Sequence, residues 1–298
     1  MKFGYVSLIG RPNAGKSTLL NRLVGAKLSI VSDKPQTTRN RILGVRNYPD
    51  AQVVYLDTPG IHRPLHRMNV RMVDAAVDTM REVDVLGLVM DVTEAHGKGD
   101  RFVLDLVKTA KSPVFLILNK IDLVRKSKLL PIIDAFSKLG DFAEIVPVSA
   151  TTGDNVDRLE RAILDRLPEG DRLYPEDFLT DRPERFFAAE IVREKLLQST
   201  HAEIPFSSAV IVDRFEEPDP AADRKSALMR LYCTIVVDRE SQKPIVIGRG
   251  GEMIKRIGTA AREELERFFG VRVFLDLHVR VRGDWREDDR VLGEIGME

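Results

Sequence analysis

The sequence predicts an α/β domain built on a doubly wound, mostly parallel sheet, followed by a smaller α+β domain. Three observations carry that reading. From Tyr5 to about Leu167, short β-rich apolar runs alternate with longer helical patterns, the rhythm of strands joined by crossover helices. Between Pro168 and Pro183 the stretch "PEGDRLYPEDFLTDRP" is rich in proline, glycine and acid and loses all periodicity, as linkers do. From Glu184 onward the order becomes α, β, β, α, α, β. The expected domains are therefore 1–168 and 184–298, with residues 169–183 between them.

The elements follow in order. "YVSLIG" is the first strand, and the apolar pattern "STLLNRLVG" after it is the first helix. "AQVVYLD", "VDVLGLVMD", "PVFLILNK" and "EIVPVSA" are the later strands. The last three are apolar without alternation, so both of their faces are expected to be covered, as in a parallel sheet. In such sheets ligands gather at the carboxyl ends of the strands, which is where every motif below falls. In the second domain, "ERFFAAEIVREKLLQST" reads as helix, and "SSAVIVDRF" and "ALMRLYCTIVVD" read as strands around a polar turn. A glycine turn, "IVIGRGGEMIKRIG", leads to the helix "GTAAREELERFF" and the strand "VRVFLDLHVRVRG".

Composition narrows the possible partners. The 298 residues carry 46 basic and 46 acidic side chains, so a nucleic acid must be held by a local patch rather than by overall charge. The single cysteine, Cys233, lies in "LYCTIVV" and reads as a small core residue. The start "MKFGYVSLIG" lacks the pattern of a signal peptide, and runs such as "VFLIL" fall far short of the ~20 residues of a membrane span. A cytoplasmic chain, monomeric in isolation, is expected. Peripheral association with the inner face of the membrane stays open.

"GRPNAGKST", Gly10 to Thr18, fits the phosphate-loop spacing G-x-x-x-x-G-K-[ST] with Gly10, Gly15, Lys16 and Ser17, placed between a strand and a helix. The glycines admit a close approach of phosphate to the loop backbone, to the N–H groups of Arg11, Asn13, Ala14 and their neighbours, with Pro12 shaping the turn among them. Lys16 meets the β and γ oxygens, and Ser17 offers a hydroxyl to Mg²⁺, with Thr18 beside it. "LDTPG" puts Asp57 after a strand, where it reaches the Mg²⁺ shell, and follows it with Thr58, Pro59 and Gly60, whose N–H can meet a γ-phosphate. "NKID" places Asn119, Lys120 and Asp122 at another strand end. The Asp122 carboxylate can accept from guanine N1–H and N2–H₂ together, a donor pair that adenine lacks. "VSA" brings Ser149 and Ala150, whose N–H can face the guanine O6.

Taken in this order and spacing, the four motifs resemble the Ras-like domain of the translation-factor-related GTPases over roughly residues 3–168. The resemblance implies GTP and GDP as ligands, with Mg²⁺. It also implies a switch threonine, for which "KPQTTRNR" offers Thr37 and Thr38, with Thr38 preferred as the metal ligand beside Ser17 and Asp57. Catalysis is assigned to Lys16, Thr38 and Gly60. One position departs from the pattern: where Ras-like enzymes carry a water-orienting glutamine, this chain has Ile61, so hydrolysis is expected to be slow or to depend on a supplement. The resemblance suggests K⁺ held with the help of Asn13; a turn-forming asparagine is the competing reading. His62 and His66 follow in "GIHRPLHR" and receive no catalytic role.

The second glycine turn lacks the phosphate-loop spacing. Lys243, Arg249, Lys255 and Arg256 surround it against one acid, Glu252. A GxxG turn, Gly248 to Gly251, between helical segments and within the α, β, β, α, α, β order matches the type II KH arrangement, whose turn clamps single-stranded nucleic acid. The glycines, Arg249, Lys255 and Arg256 would hold the backbone, and Ile245, Ile247 and Ile254 would floor a groove for bases. With "PQTTR" and "VRGDWR", the chain resembles the bacterial Era-type GTPases from end to end. That resemblance implies binding to the 3′ end of small-subunit ribosomal RNA and a part in assembly of the small ribosomal subunit. The competing reading is an RNA-binding module that uses GTP only as a structural ligand.

Overall fold

The computed structural model describes residues 1–61, 66–94, 98–200, 204–219 and 227–297. The chain forms two compact units, the first built chiefly from Met1–Val31, Gln36–Leu65 and Asn69–Asp181 and the second from Arg182–Glu298. The first unit runs β1 (Lys2–Ile9), α1 (Lys16–Val24), β2 (Ile42–Tyr48), β3 (Ala51–Asp57), α2 (Arg67–Arg81), β4 (Val85–Asp91), α3 (Lys98–Val107), β5 (Val114–Asn119), α4 (Lys126–Ser137), β6 (Glu144–Pro147) and α5 (Val156–Arg166). Its six strands lie in the order β2-β3-β1-β4-β5-β6, parallel except for β2.

The sequence pattern alone does not reveal β2. It pairs antiparallel with β3 in a hairpin, Tyr48 opposite Ala51, turned by Pro49 and Asp50. Its short run "ILGV" is interrupted by Gly44 and followed by a basic residue, which hides the strand signal, and its pairing along the neighbouring β3 supplies what its own pattern lacks. The other five strands carry apolar side chains to both faces, and β4 and β5 are buried along almost their whole length. Parallel strands put all their carboxyl ends on one edge, so the residues after β1, β3, β5 and β6 meet there.

Residues 169–181 pack against this unit. Gln52, fully buried, accepts from the N–H groups of Leu173 and Tyr174 through Oε1 and donates to the Tyr174 carbonyl. Val45 donates its N–H to Leu179 O at 2.8 Å, and Tyr174 stacks on Phe178 with centroids 4.7 Å apart.

The second unit runs α6 (Glu184–Ser199), α7 (Ile204–Ser207), β7 (Ser208–Glu216), β8 (Leu228–Val237), α8 (Lys243–Ile247), α9 (Glu252–Phe269), β9 (Arg272–Val281) and α10 (Asp289–Glu294). Its sheet is β7-β8-β9, antiparallel and then parallel. Cys233 is buried in the core between the sheet and the helices, and burial pushes its thiol up to about 12. Helix α9 begins at Glu252, directly on the glycine turn, rather than at Gly258. Met253, Ile257, Ala261 and Leu265 recur every four residues and pack into the core as one stripe, which carries the helix through Gly258. The short α7 and α10 add to the expected order. Within "VRGDWR", Trp285 is fully buried and donates its indole N–H to Ser207 O at 3.0 Å. Among the described residues no helix is long and apolar enough to cross a membrane.

Candidate nucleotide site and nucleic-acid surface

The loop after β1 turns through Gly10, Arg11, Pro12, Asn13, Ala14 and Gly15 into α1. Asn13 takes a left-handed conformation with φ of 65°, which asparagine tolerates better than most residues; this is the geometry of its turn-forming role. Gly15 has φ of 91°, and a Cβ there would stand 2.2 Å from Asn119 Nδ2. Arg11 faces away toward the start of α3, pairing with Glu94 at 3.1 Å and Asp100 at 3.2 Å. Lys16 is 5 % exposed and donates to the carbonyls of Gly10 at 3.2 Å and Arg11 at 2.9 Å. Burial lowers its amine from 10.5 to about 8, with Asp57 opposing the shift. It stays protonated at pH 7, a cation lodged in the loop. Thr18 is half-buried in the same first turn of α1.

Three hydroxyls converge on one carboxylate oxygen. Asp57 Oδ2 accepts from Ser17 at 2.8 Å, Ser29 at 2.9 Å and Thr38 at 3.3 Å, while Ser17 Oγ and Thr38 Oγ1 lie 2.7 Å apart. Burial pushes the Asp57 carboxyl above its usual range, against the pull of Lys16 and the hydroxyls. Asp57 Oδ1 is buried and has no partner among the described residues. This oxygen set suits a hard divalent cation, which takes hydroxyl, carboxylate and water oxygens. Of the two threonines considered, it is Thr38 whose hydroxyl meets Ser17. Thr58 turns inward and bonds Leu8 O at 2.9 Å, and Pro59 follows it. Gly60 passes so close to the first loop that a Cβ would stand 2.8 Å from Pro12. Ile61 is 1 % exposed in the core and donates its N–H to Gly10 O at 3.1 Å. Its side chain is a core hydrophobe with no reach toward a water. His62 lies outside the described residues.

The base motifs are tied to the loop by Asn119. Its Nδ2 donates to Ala14 O at 2.9 Å, and its Oδ1 accepts from Ala150 N–H at 2.9 Å. That second bond engages the Ala150 N–H, the group expected to face the guanine O6, because the strand ends of β5 and β6 stand side by side. Ser149 is fully buried and its Oγ accepts from Thr152 N–H at 3.1 Å. Lys120 takes φ of 68° and its ammonium lies 2.5 Å from Asp91 Oδ2. Burial alone would raise the Asp91 carboxyl; hydrogen bonds from Lys120 and Thr93 hold it below its usual range. Asp122 sits in a single 3₁₀ turn, Ile121–Leu123, with its carboxylate exposed.

In the second unit the glycine turn lies between α8 and α9. Gly248, Gly250 and Gly251 all have positive φ, and a Cβ at Gly250 or Gly251 would meet no atom within 4 Å. The outer side of the turn is thus open to an approaching backbone. Arg249 and Lys255 are exposed, Ile247 and Ile254 are half-buried, and Ile245 is 45 % exposed. Val246 and Ile257, fully buried, pin the flanking helices to the core. Arg256 is exposed as well, and its guanidinium donates to Ser199 O at 3.2 Å and lies 3.0 Å from Met253 Sδ.

Two families match: one described as 50S ribosome-binding GTPase over residues 5–120, the other as KH domain over residues 210–286. The chain is 49% identical to the GTPase Era of Geobacter metallireducens over 98% of this chain and 97% of that one. It is 50% identical to the GTPase Era of Syntrophus aciditrophicus, covering 99% and 95%. The chain belongs to the Era family of GTPases. An Era structure with MgGDPNP and nucleotides 1506–1542 of 16S ribosomal RNA superposes with a TM-score of 0.94 at 43% identity, over 100% of this chain and 99% of that one. A variant of the Aquifex aeolicus Era bound to GDP and AlF4⁻ gives 0.93 at 43% identity, over the same shares.

For this Era-family chain the sequence reading missed three residues that shape the nucleotide edge. Ser29 joins the Asp57 cluster. Asn21 holds the Ser29 segment, and Arg22 donates to Ala150 O at 2.6 Å and Thr151 O at 2.5 Å, fixing the loop after β6. The one signal in the sequence, for Asn21 and Arg22 and not for Ser29, is polar residues inside the apolar helix "STLLNRLVG": Asn21 follows Ser17, and Arg22 follows Thr18, by one helical turn.

Proposed function

We propose that the chain is a GTP-hydrolysing switch that binds the 3′ end of small-subunit ribosomal RNA through its KH domain and acts in assembly of the small ribosomal subunit, as a cytoplasmic monomer in isolation. The observation that supports it best is the meeting, at one sheet edge, of the Lys16 ammonium, the Ser17–Thr38–Asp57 cluster and the Asn119 bridge. Lys16 and the loop N–H groups bind and orient the triphosphate, Asp122 reads the base, and Gly60 N–H and Thr38 face the γ-phosphate. Ser17, Thr38 and Asp57 would hold Mg²⁺, which when bound neutralises charge developing on the phosphoryl oxygens. Ordering of the segments around Thr38 and Gly60 by triphosphate, and their release on hydrolysis, is the two-state element. In the second unit Gly248–Gly251, Arg249, Lys255 and Arg256 form the RNA clamp, with Ile247 beside them.

Ile61 supplies no water-orienting group, and K⁺ held with the help of Asn13 is the proposed supplement. Single-turnover GTP hydrolysis in potassium and in sodium at equal ionic strength tests the catalytic half. A faster rate in potassium, lost in Asn13→Ala, is expected; equal rates would remove the ion, and no turnover in either salt would leave an RNA-binding module with a structural nucleotide. Sequencing RNA crosslinked to the chain in cells tests the other half, with reads concentrated at the 3′ end of 16S RNA as the expected result and reads spread without enrichment as the overturning one.

A further inference from the structure

We infer that Ser29, a residue outside every recognised motif, is a positioning residue for the magnesium shell, set in place by Asn21; the inference rests on the nucleotide reading above. Ser29 is 1 % exposed and donates its hydroxyl to Asp57 Oδ2 at 2.9 Å. Its main chain is held from α1. Asn21 Oδ1 accepts from Leu28 N–H at 2.9 Å and Ser29 N–H at 2.8 Å, and Asn21 Nδ2 donates to Ser29 O at 2.7 Å. Both polar atoms of the Asn21 side chain are therefore used on the segment that presents this one hydroxyl.

The three hydroxyls on Asp57 have different duties. Ser17 and Thr38 would also turn their oxygens to the ion, and Thr38 lies in the segment that is ordered by triphosphate. Ser29 has neither task. A donor fixed on Oδ2 stops the carboxylate from rotating and keeps Oδ1, buried and without a partner among the described residues, aimed in one direction. The segment from Ser29 to Thr38 thus begins and ends on the same carboxylate oxygen: one end is clamped to α1, and the other can leave with hydrolysis. Ser29 preorganises the acceptor while Thr38 reports the nucleotide.

The test is dissociation of a fluorescent GDP from the full chain, followed across a titration of free Mg²⁺ and in EDTA. In Ser29→Ala the Mg²⁺ needed for half of the slowing should rise roughly ten-fold, the scale of one hydrogen bond to a charged group. The rate in EDTA should stay within about two-fold of wild type, since the serine touches no nucleotide-binding group other than Asp57. Asn21→Ala should shift the Mg²⁺ midpoint in the same direction, and adding it to Ser29→Ala should shift it little further. This second variant keeps the test open if Ser29→Ala does not fold. A wild-type midpoint in either folded variant, or equal acceleration with and without Mg²⁺, overturns the inference while leaving the nucleotide reading intact. A wild-type chain that binds no guanine nucleotide overturns both.

Discussion

At the residue scale the nucleotide edge is a set of buried polar groups whose charges are balanced locally. Lys16 is the clearest case. With its amine lowered from 10.5 to about 8 by burial, the unfolded chain binds a proton at this residue between those values and the folded chain does not. Stability therefore rises with pH through the window from about 8 to about 10.5. Cys233, raised from 9.0 to about 12 by burial, works in the opposite sense, since its neutral form is the folded one and stability falls as pH passes 9. Denaturant melts of the nucleotide-free chain and of Lys16→Met from pH 7 to 10.5 separate the two: the difference between the curves should carry the Lys16 rise, and parallel curves would refute it. Asp122 makes a second case. In the proposed reading its exposed carboxylate takes guanine by accepting two N–H bonds, so Asp122→Asn should lose GTP affinity by about 100-fold or more and gain affinity for xanthosine triphosphate. Competition between the two nucleotides on the same filter checks it, and unchanged preference would assign base reading elsewhere.

At the element scale, one device, a glycine turn entering a helix, serves two ends. Before α1 the turn is crowded: Asn119 stands against Gly15 and Pro12 against Gly60, so the glycines let motifs approach one another. Before α9 the turn is open, with space outside Gly250 and Gly251, so its glycines leave room for a partner. Replacing Arg249 and Gly250 by aspartate fills that space with side chains and negative charge. RNA affinity should fall by about 100-fold or more, and the log–log salt slope for single-stranded RNA should flatten by about 0.7 for each phosphate that the protein no longer neutralises. GTP affinity should stay within about two-fold of wild type, because the turn lies in the other compact unit. Wild-type affinity and slope for a 16S 3′-end oligonucleotide would make Gly248–Gly251 a turn only.

At the scale of the whole molecule, residues 169–181 show how a stretch without periodicity still belongs to a folded unit. They satisfy the buried Gln52 amide at both ends, pair with Val45 and lay Tyr174 and Phe178 on the first unit's core. A chain ending at Pro168 should therefore be less stable than one ending at Asp181 by roughly 2 kcal/mol or more, since the Gln52 side-chain oxygen loses both of its donors while Nε2 keeps only Asn47. Thermal melts of the two fragments with saturating GDP and Mg²⁺ test this, and equal midpoints would return the segment to a passive linker.

By itself the sequence determined what short-range pattern records: continuous apolar runs for buried parallel strands, a glycine-lysine-serine loop at the end of the first, acids and amides at the ends of others, and a basic GxxG turn in an α, β, β, α, α, β unit. These features are legible because strand period, turn stereochemistry and phosphate binding each impose residue types within a few positions. Tertiary structure alone decided the rest. It paired β2 with β3, gave the Ala150 N–H to Asn119 across 31 residues, and brought Ser29 to Asp57 across 28. It also placed Arg22 on the Ala150 carbonyl across 128 positions and Leu173 on Gln52 across 121. The physical reason is common to all of them: a buried hydrogen bond is chosen by whichever donor the packed backbone brings within about 3 Å of an acceptor that must be satisfied, and no local pattern in the chain encodes that choice.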